Sequence, residues 1–179
     1  MVPTKQSRLE AFRHHRDHYF GHDDGSPLSE ADRAGFAGLR YFPERTDLTM
    51  ELPLETDGPG IGERIDLPTS DGHAKPLVRA GRISFEADGQ PVTLSVFKDV
   101  DRGRFFLPFK DGTTGGETYA GGRYLDPRAR PDGSLVVDFN YAYNPYCAYG
   151  EGWSCPVPPV ENEVAAPIEA GELAFERRD

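Results

Sequence analysis

The spacing of hydrophobic residues changes near residue 48, and this change divides the chain into a helical part and a β part. Before it, Leu9, Phe12 and the pair Tyr19–Phe20 recur at helical intervals. The pattern predicts an amphipathic helix over residues 7–20, which Gly21 ends.

A second, shorter helix is predicted directly after the first. Ser29 is a suitable N-cap, and Asp32 occupies the third helical position of a capping-box pattern, where glutamate is the usual residue. This helix is expected to run to about Leu39. The proline in the following segment YFPERTD then ends the helical part.

From about Leu48 apolar and polar residues alternate, as they do in a strand with one buried face. VRAGRISFEADGQPVTLSVF is the clearest hairpin, because Asp88 and Gly89 suit a tight turn. RFFLPF is predicted as a strand whose Pro108 favours an edge or a bulge. ETYAGGRYL and SLVVDFNYAY predict a second hairpin around RPDGS, and GELAFER could return as a last strand.

Many short strands with frequent turns predict a mainly β fold. We expect an antiparallel β-barrel or sandwich with two N-terminal helices and a long proline-rich C-terminal wrapping loop. Residues 1–46 are predicted to form an N-terminal helical segment packed on the barrel. Residues 47–179 then form the β-barrel domain with its C-terminal loop, and both parts belong to one structural unit.

The amino-acid composition supports this fold class and argues against some classes of function. The 20 glycines and 16 prolines among 179 residues are typical of a turn-rich β protein, while 11 Phe and 8 Tyr supply a core. The net charge of −10 argues against a nucleic-acid partner, which requires a basic surface. No apolar run approaches the ~20 residues of a membrane span. MVPTKQSRLEAF contains no apolar stretch, so we predict no signal peptide and a cytoplasmic location.

Two stretches resemble a known protein family. They are FKDGTTGGETYAGGRYLD at residues 109–126 and VVDFNYAYNPYCAYGEGWSCPVPPVENEVAAPIEAGE at residues 136–172. With the SPL segment near Ser26 and the GL and YFP segments at Leu39–Pro43, they resemble the prokaryotic domain-of-unknown-function family sixteen eighty-four. The resemblance covers about residues 10–175. It implies a single fold and marks residues of interest, but it implies no established activity.

The first of these stretches places polar side chains around the glycines of a loop. Exposed backbone N–H groups of such a loop can hold an anion, although the G-K-[ST] ending of a phosphate-binding P-loop is absent. The alternative is a tight β connection whose Asp and Thr side chains bond their own backbone. On the first interpretation the ligand-binding candidates are Lys110, Asp111, Thr113, Thr118 and Tyr119.

Arg123 follows on a predicted strand, and an arginine that points into a small barrel needs a carboxylate partner. The partner is either a ligand or one of the acids Glu117, Asp138 and Glu172. Asp138 and Asn140 share a face of the strand that we pair with the strand of Arg123. These three residues are therefore expected to form a polar cluster in a pocket.

Tyr143 and Asn144 extend the set of ligand-binding candidates toward the proline-rich loop. The alternative for the whole cluster is a buried hydrogen-bond network that fixes this loop. The sequence leaves both interpretations open.

The two cysteines, Cys147 and Cys155, allow three interpretations. They are a free buried pair, a loop-closing disulfide, or a catalytic thiolate at Cys147. Two thiols without a neighbouring histidine cannot complete a four-ligand zinc site.

Four of the five histidines lie in HHRDHYFGH, where His14 and His18 are spaced to share one helix face. Such a pair can hold a metal ion, but a solvated helix explains the pattern equally well. The sequence identifies no cofactor.

Three classes of function remain. The favoured one is binding of a small molecule, which could be an anion, in a β-barrel pocket lined by Arg123, Asp138 and Asn140. The second is a hydrolase-like enzyme that uses Glu117 or Asp138 as base and Cys147 as a nucleophile. The third is a structural protein that acts through a partner, with a homodimer as one form.

Overall fold

The computed structural model describes residues 6–178 and is mainly β. Two helices, α1 (Arg8–His22) and α2 (Glu30–Ala34), precede two antiparallel sheets. The strands are β1 Thr49–Leu52, β2 Arg64–Pro68, β3 Ala74–Ala87, β4 Gln90–Asp99, β5 Phe105–Phe109, β6 Arg123–Leu125, β7 Arg128–Ala129 and β8 Leu135–Asp138. Short 3-10 helices lie at Thr46–Leu48, Phe139–Tyr141, Tyr146–Ala148 and Val160–Asn162.

The five-stranded sheet has the order β2-β3-β4-β5-β6 and the three-stranded sheet the order β1-β8-β7. Both sheets contribute to one apolar core, which joins Leu94 and Leu107 of the first sheet to Val137 of the second. The antiparallel barrel-or-sandwich prediction is therefore confirmed. None of the helices in the described part of the chain combines the length and hydrophobicity needed to cross a bilayer.

The β3–β4 hairpin is confirmed at the predicted turn. Asp88 and Gly89 have φ angles of 50° and 71°, the left-handed pair that a two-residue hairpin turn needs. Ala87 pairs with Gln90 on either side of the turn. Asp88 tolerates this conformation because a short polar side chain is among the few that enter the left-handed region at low cost.

The RPDGS turn and the β8 arm of the second predicted hairpin are confirmed, but its first arm is wrong. Residues 117–125 meet the other arm only at an isolated bridge between Tyr124 and Tyr143. β6 pairs with β5, so that Phe109 lies opposite Arg123, whereas β7 pairs with β8 around the RPDGS turn. Pro127 separates β6 from β7, and proline lacks the N–H that a continuous strand would need. Arg123 therefore does not lie on a strand that pairs with the strand of Asp138.

Helix α1 extends to His22, beyond the stop expected at Gly21, and begins with a complete capping box between Ser7 and Glu10. Helix α2 is shorter than expected and ends at Ala34, with Gly35 as its C-cap. The Ser29 hydroxyl accepts a hydrogen bond from the backbone of Asp32, as predicted.

The C-terminal segment completes the five-stranded sheet. Pro108 was expected at an edge or a bulge, but β5 has a neighbour on each side. The strands β4 and β5 pair only near Phe97 and Phe106. Beyond these residues the Asn162 carboxamide donates 2.8 Å hydrogen bonds to the carbonyls of Ser95 and Pro108 and accepts one of 2.8 Å from the Ser95 N–H. This side chain takes the place of backbone pairing at a residue that has no N–H.

The GELAFER segment forms no strand, contrary to the prediction. It touches the N-terminal part through an isolated bridge between Tyr41 and Glu172 and through a hydrogen bond from the Leu173 N–H to the Arg40 carbonyl. Glu172 is buried and pairs with Arg16 of α1, so this segment packs on the N-terminal part and joins neither sheet.

Candidate functional site

A cavity of about 420 Å³, here called the helix cavity, lies between α1 and the strands β6–β8. Helix α1 contributes Arg8, Phe12 and Arg16, which are four residues apart and therefore share one face. The opposite wall is mixed apolar and polar and consists of Leu125, Asp126, Arg128, Val136, Asp138, Tyr141 and Tyr143. Its volume is within the range of small-molecule pockets, roughly 300–1,000 Å³.

Three guanidinium groups face this cavity. Among residues 6–178, Arg8 and Arg128 have no carboxylate within 4.0 Å. Asp138 lines the same cavity, but its Oδ1 already accepts hydrogen bonds from the Asn140 backbone N–H at 3.0 Å and from Asn140 Nδ2 at 2.8 Å. Two cationic side chains of the wall are thus available to a ligand, while an acid of the wall is engaged within the fold.

Arg16 is the most buried of the three arginines, with 16% of its side chain exposed. Its guanidinium lies 5.0 Å from the ring centre of Phe20 and 5.6 Å from that of Tyr143. It also donates to Glu172, which is 1% exposed. Burial raises the pKa of Glu172 to about 7, although Arg16 and the Asn144 N–H oppose this rise.

A second cavity of about 480 Å³, here called the aromatic cavity, lies beside the first. It shares Asp126 and Tyr143 with the helix cavity. The Tyr143 hydroxyl donates to Asp126 Oδ2 at 2.9 Å, and burial together with this carboxylate raises the pKa of Tyr143. Since the hydroxyl stays protonated, it keeps donating to Asp126 at the border that the two cavities share.

Arg123 does not face either cavity. It is fully buried, and it donates to the carbonyls of Ala170 at 2.5 Å and Ile168 at 2.8 Å. Its carboxylate partner is Asp111, at 3.5 Å, rather than Glu117 or Asp138. The predicted pocket lined by Arg123, Asp138 and Asn140 is therefore wrong, because the arginine binds the C-terminal segment from inside the core.

Asn140 is also fully buried and serves the backbone. Its Oδ1 accepts from the Arg45 N–H at 2.8 Å, and its Nδ2 donates to the Arg45 carbonyl at 2.8 Å. The strand ends at Asp138 and a 3-10 helix follows, so Asp138 and Asn140 do not share a strand face as expected. Asn144 donates to Glu172 Oε1 at 3.3 Å and lines the aromatic cavity.

The glycine-rich loop follows the alternative of a tight β connection. The Thr113 hydroxyl lies 2.9 Å from Asp111 Oδ2 and 2.9 Å from the Thr118 hydroxyl, and all three residues are buried. Asp111 also accepts from the Ile168 N–H at 2.6 Å. Lys110 pairs with Glu163 at 3.3 Å. The polar groups of this loop are therefore engaged within the chain.

Two further candidates, Tyr119 and Glu117, lie outside both cavities. Tyr119 packs with Tyr149 and Phe20 in a small aromatic cluster. Glu117 is exposed, and its backbone carbonyl accepts from the Ala174 N–H. Neither side chain faces the polar groups with which it was expected to act.

Cys147 and Cys155 are free thiols. Cys147 Sγ lies 3.2 Å from the Ser70 hydroxyl and 3.4 Å from the Trp153 carbonyl. Cys155 lines the aromatic cavity, and burial raises the pKa of its thiol to about 11. Both thiols are therefore free, as the first interpretation expects, but only Cys155 is buried.

His14 and His18 are exposed on α1. Within residues 6–178, no three His, Cys, Asp or Glu side chains group as metal ligands. The ring of His18 stacks instead on that of His22, with 4.8 Å between their centres. The alternative of a solvated helix fits these residues.

The sequence interpretation missed Arg8, Arg16 and Arg128 as site residues. A signal was present, since Arg8, Phe12 and Arg16 recur every four residues and place two charges on the apolar side of the predicted helix. Arg128 had no comparable signal, because its position depends on the β7–β8 pairing.

Comparison with known proteins identifies relatives of the whole fold. The profile of the family described as "Protein of unknown function (DUF1684)" matches residues 34–173. The chain is also similar to the solution NMR structure of an uncharacterized protein of Haloarcula marismortui, with a TM-score of 0.70 and 36% sequence identity. That match covers 92% of this chain and 91% of the other. No curated protein matches. Helix α1 lies outside the range that the family profile matches.

Proposed function

The chain belongs to the DUF1684 family, and on that premise we propose that it binds a small organic anion with an apolar part in the helix cavity. The observation that carries this proposal is the pairing of unengaged cations with an apolar wall. Arg8 and Arg128 have no carboxylate partner within residues 6–178, and they border a cavity lined by Phe12, Leu125 and Val136.

The electrostatic setting supports an anion rather than a neutral ligand. The chain carries a net charge of −10, so a cavity bordered by unpaired arginines is a locally cationic region of an acidic protein. A guanidinium offers a planar pair of N–H donors that matches a carboxylate. Arg8 and Arg128 are exposed, so solvent weakens the bonds that they make, and the apolar wall contributes by burying the apolar part of the ligand.

The hydrolase-like alternative has less support. Asp138 is the only one of its three catalytic candidates that lines the helix cavity, and two hydrogen bonds from Asn140 hold its carboxylate. Glu117 is exposed outside both cavities, and Cys147 contacts Ser70. We therefore keep binding as the proposed activity.

The test is calorimetric titration with benzoate and hexanoate, using 1-hexanol as an uncharged counterpart. We expect both carboxylates to bind and the alcohol to bind at least roughly tenfold more weakly. The double variant Arg8→Ala/Arg128→Ala should lose roughly tenfold in carboxylate affinity and leave the alcohol unaffected. Equal binding of hexanoate and 1-hexanol would overturn the proposal.

Arg130→Ala is the matched control. Arg130 lies two residues from Arg128, pairs with Glu51 on the surface at 3.2 Å and lines neither cavity. This variant should bind benzoate as the unmodified protein does. A loss of affinity equal to that of the double variant would show that general surface charge, rather than the cavity, attracts the anion.

A further inference from the structure

The aromatic cavity has a chemistry of its own, because six aromatic side chains line its wall: Phe105, Phe106, Tyr124, Tyr143, Tyr146 and Trp153. Phe106 and Tyr124 meet at 4.9 Å between ring centres, and so do Tyr146 and Trp153. Trp153 is 36% exposed, so part of its ring is open to a ligand in the cavity. We propose that this cavity binds a planar aromatic ring that carries a phosphate group.

The ring part of the proposal rests on these side chains. The two ring pairs are tilted edge to face, at 66° and 68°, so their members do not stack flat against each other. Phe106 and Tyr124 are buried, whereas Tyr146 and Trp153 are partly exposed, so this second pair offers the ring surface that can take a planar ligand. The Tyr124 hydroxyl is engaged with the Pro156 carbonyl, which fixes the orientation of its ring.

The phosphate part rests on Arg102 and Arg104, which line the cavity from the β4–β5 turn. Within the described chain neither has a carboxylate within 4.0 Å. The other cation of the wall, Lys75, is engaged, since it lies 3.9 Å from Asp99 and 5.1 Å from the Phe106 ring centre. Two free guanidinium groups on one short turn can bind a phosphate through several parallel hydrogen bonds.

The turn that carries these arginines is held in place. Asp99 Oδ1 accepts hydrogen bonds of 2.9 Å from the N–H groups of Asp101 and Arg102. The Asp99 N–H donates to the Arg104 carbonyl at 3.0 Å. The backbone of both arginines is therefore ordered before a ligand binds, and this lowers the entropic cost of binding.

The inference is independent of the proposed function, because it concerns a different cavity and different cations. Asp126 and Tyr143 line both cavities and interact with each other at 2.9 Å. Occupation of the helix cavity is not required for the aromatic cavity to bind its ligand.

The chain contains a single tryptophan, and it lies in this cavity, so its fluorescence reports on the site directly. The experiment titrates the purified protein with adenosine monophosphate and with phenyl phosphate, and follows Trp153 emission. Adenosine and inorganic phosphate are the controls that each lack one part of the ligand. We expect a saturable change with at least one phosphorylated ring and roughly tenfold weaker effects of both controls.

The variant Arg102→Ala/Arg104→Ala should bind the phosphorylated probe roughly tenfold more weakly, and its affinity for adenosine should be unchanged. Its melting temperature should be unaltered, since only the backbone of these residues makes the hydrogen bonds that hold the turn. Arg64→Ala, on β2 and outside the cavity, is the matched control and should bind normally.

Three results would overturn the proposal. They are equal responses to adenosine and adenosine monophosphate, normal binding of the phosphorylated probe by the double variant, and no saturable response at millimolar concentration. Carboxylate binding in the helix cavity, measured by calorimetry, would be untouched by any of these results, so the two proposals fail separately.

Discussion

The Arg16 guanidinium donates a 2.8 Å hydrogen bond to the Glu172 carboxylate and joins α1 to the C-terminal segment. Glu172 is buried and also accepts from the Asn144 backbone N–H at 3.2 Å. Because Arg16 lines the helix cavity, this ion pair connects the wall of the proposed site with the end of the fold.

Glu172 should make stability depend on pH. Burial raises its pKa from 4.5 to about 7, so the folded protein holds a proton that the unfolded chain releases. The stabilisation from this proton is complete below pH 4.5 and is lost as the pH rises through about 7. Its size is on the order of 3 kcal/mol, from about 1.4 kcal/mol per unit of pKa difference.

The measurement is urea unfolding between these pH values for the unmodified protein and for Glu172→Gln. The difference in free energy of unfolding between the two proteins should move in favour of the glutamine variant as the pH rises. A difference that moves the other way would mean that Arg16 lowers the Glu172 pKa more than burial raises it.

Arg123→Ala should lower stability and leave ligand binding unchanged. The substitution leaves Asp111 and the carbonyls of Ile168 and Ala170 without their buried partner, which costs about 3–5 kcal/mol. Chemical unfolding measures this loss, and Arg130→Ala, which breaks only a surface pair, should cost under about 1 kcal/mol. A variant that kept its stability and lost benzoate affinity would show that Arg123 belongs to a binding site.

Asn162→Ala should destabilise the five-stranded sheet. The carboxamide bridges Ser95 and Pro108, so its removal leaves three buried backbone groups without partners. We expect a loss of about 3 kcal/mol and faster hydrogen exchange at the Ser95 amide. Val160→Ala, in the same short helix at an 83% exposed residue, should change stability little. Equal losses from both variants would contradict the bridging role.

Cys155 should react slowly with iodoacetamide. Burial raises its thiol pKa to about 11, so little thiolate forms at neutral pH. Its alkylation near pH 8 should be slower than that of a free cysteine by on the order of a hundredfold. Mass spectrometry of Cys147→Ser follows Cys155 alone, and the unfolded variant supplies the reference rate. Comparable rates in the folded and unfolded states would show that Cys155 is not shielded.

Local patterns in the sequence were sufficient for the elements that depend on neighbouring residues. The β3–β4 hairpin follows from alternation and from the turn residues Asp88 and Gly89. Helix α1 lies where the apolar spacing predicted a helix, and the capping box between Ser7 and Glu10 sets its start. The mainly β class follows from the turn-rich composition. In each case the deciding interactions lie within a few residues.

The site could not be predicted because it depends on contacts between distant parts of the chain. Arg123 carries a charge that suggests a ligand, but the carbonyls that it binds belong to residues 168 and 170. Asp126 meets Tyr143 because an isolated antiparallel bridge joins Tyr124 to Tyr143. The prediction chose the wrong partner strand for β6, which pairs with β5, and so placed the pocket away from the observed cavities.

The bridging of β4 and β5 by Asn162 has a consequence for biosynthesis. The ribosome synthesises every strand before it reaches Asn162. Until then Ser95 and Pro108 in the nascent five-stranded sheet lack the hydrogen bonds that Asn162 provides. Arg123 likewise lacks its hydrogen-bond acceptors until Ile168 and Ala170 have been synthesised. We therefore expect folding to finish only after translation of the C-terminal segment. Truncated transcripts that end before the Asn162 codon should yield chains that quality-control proteases degrade.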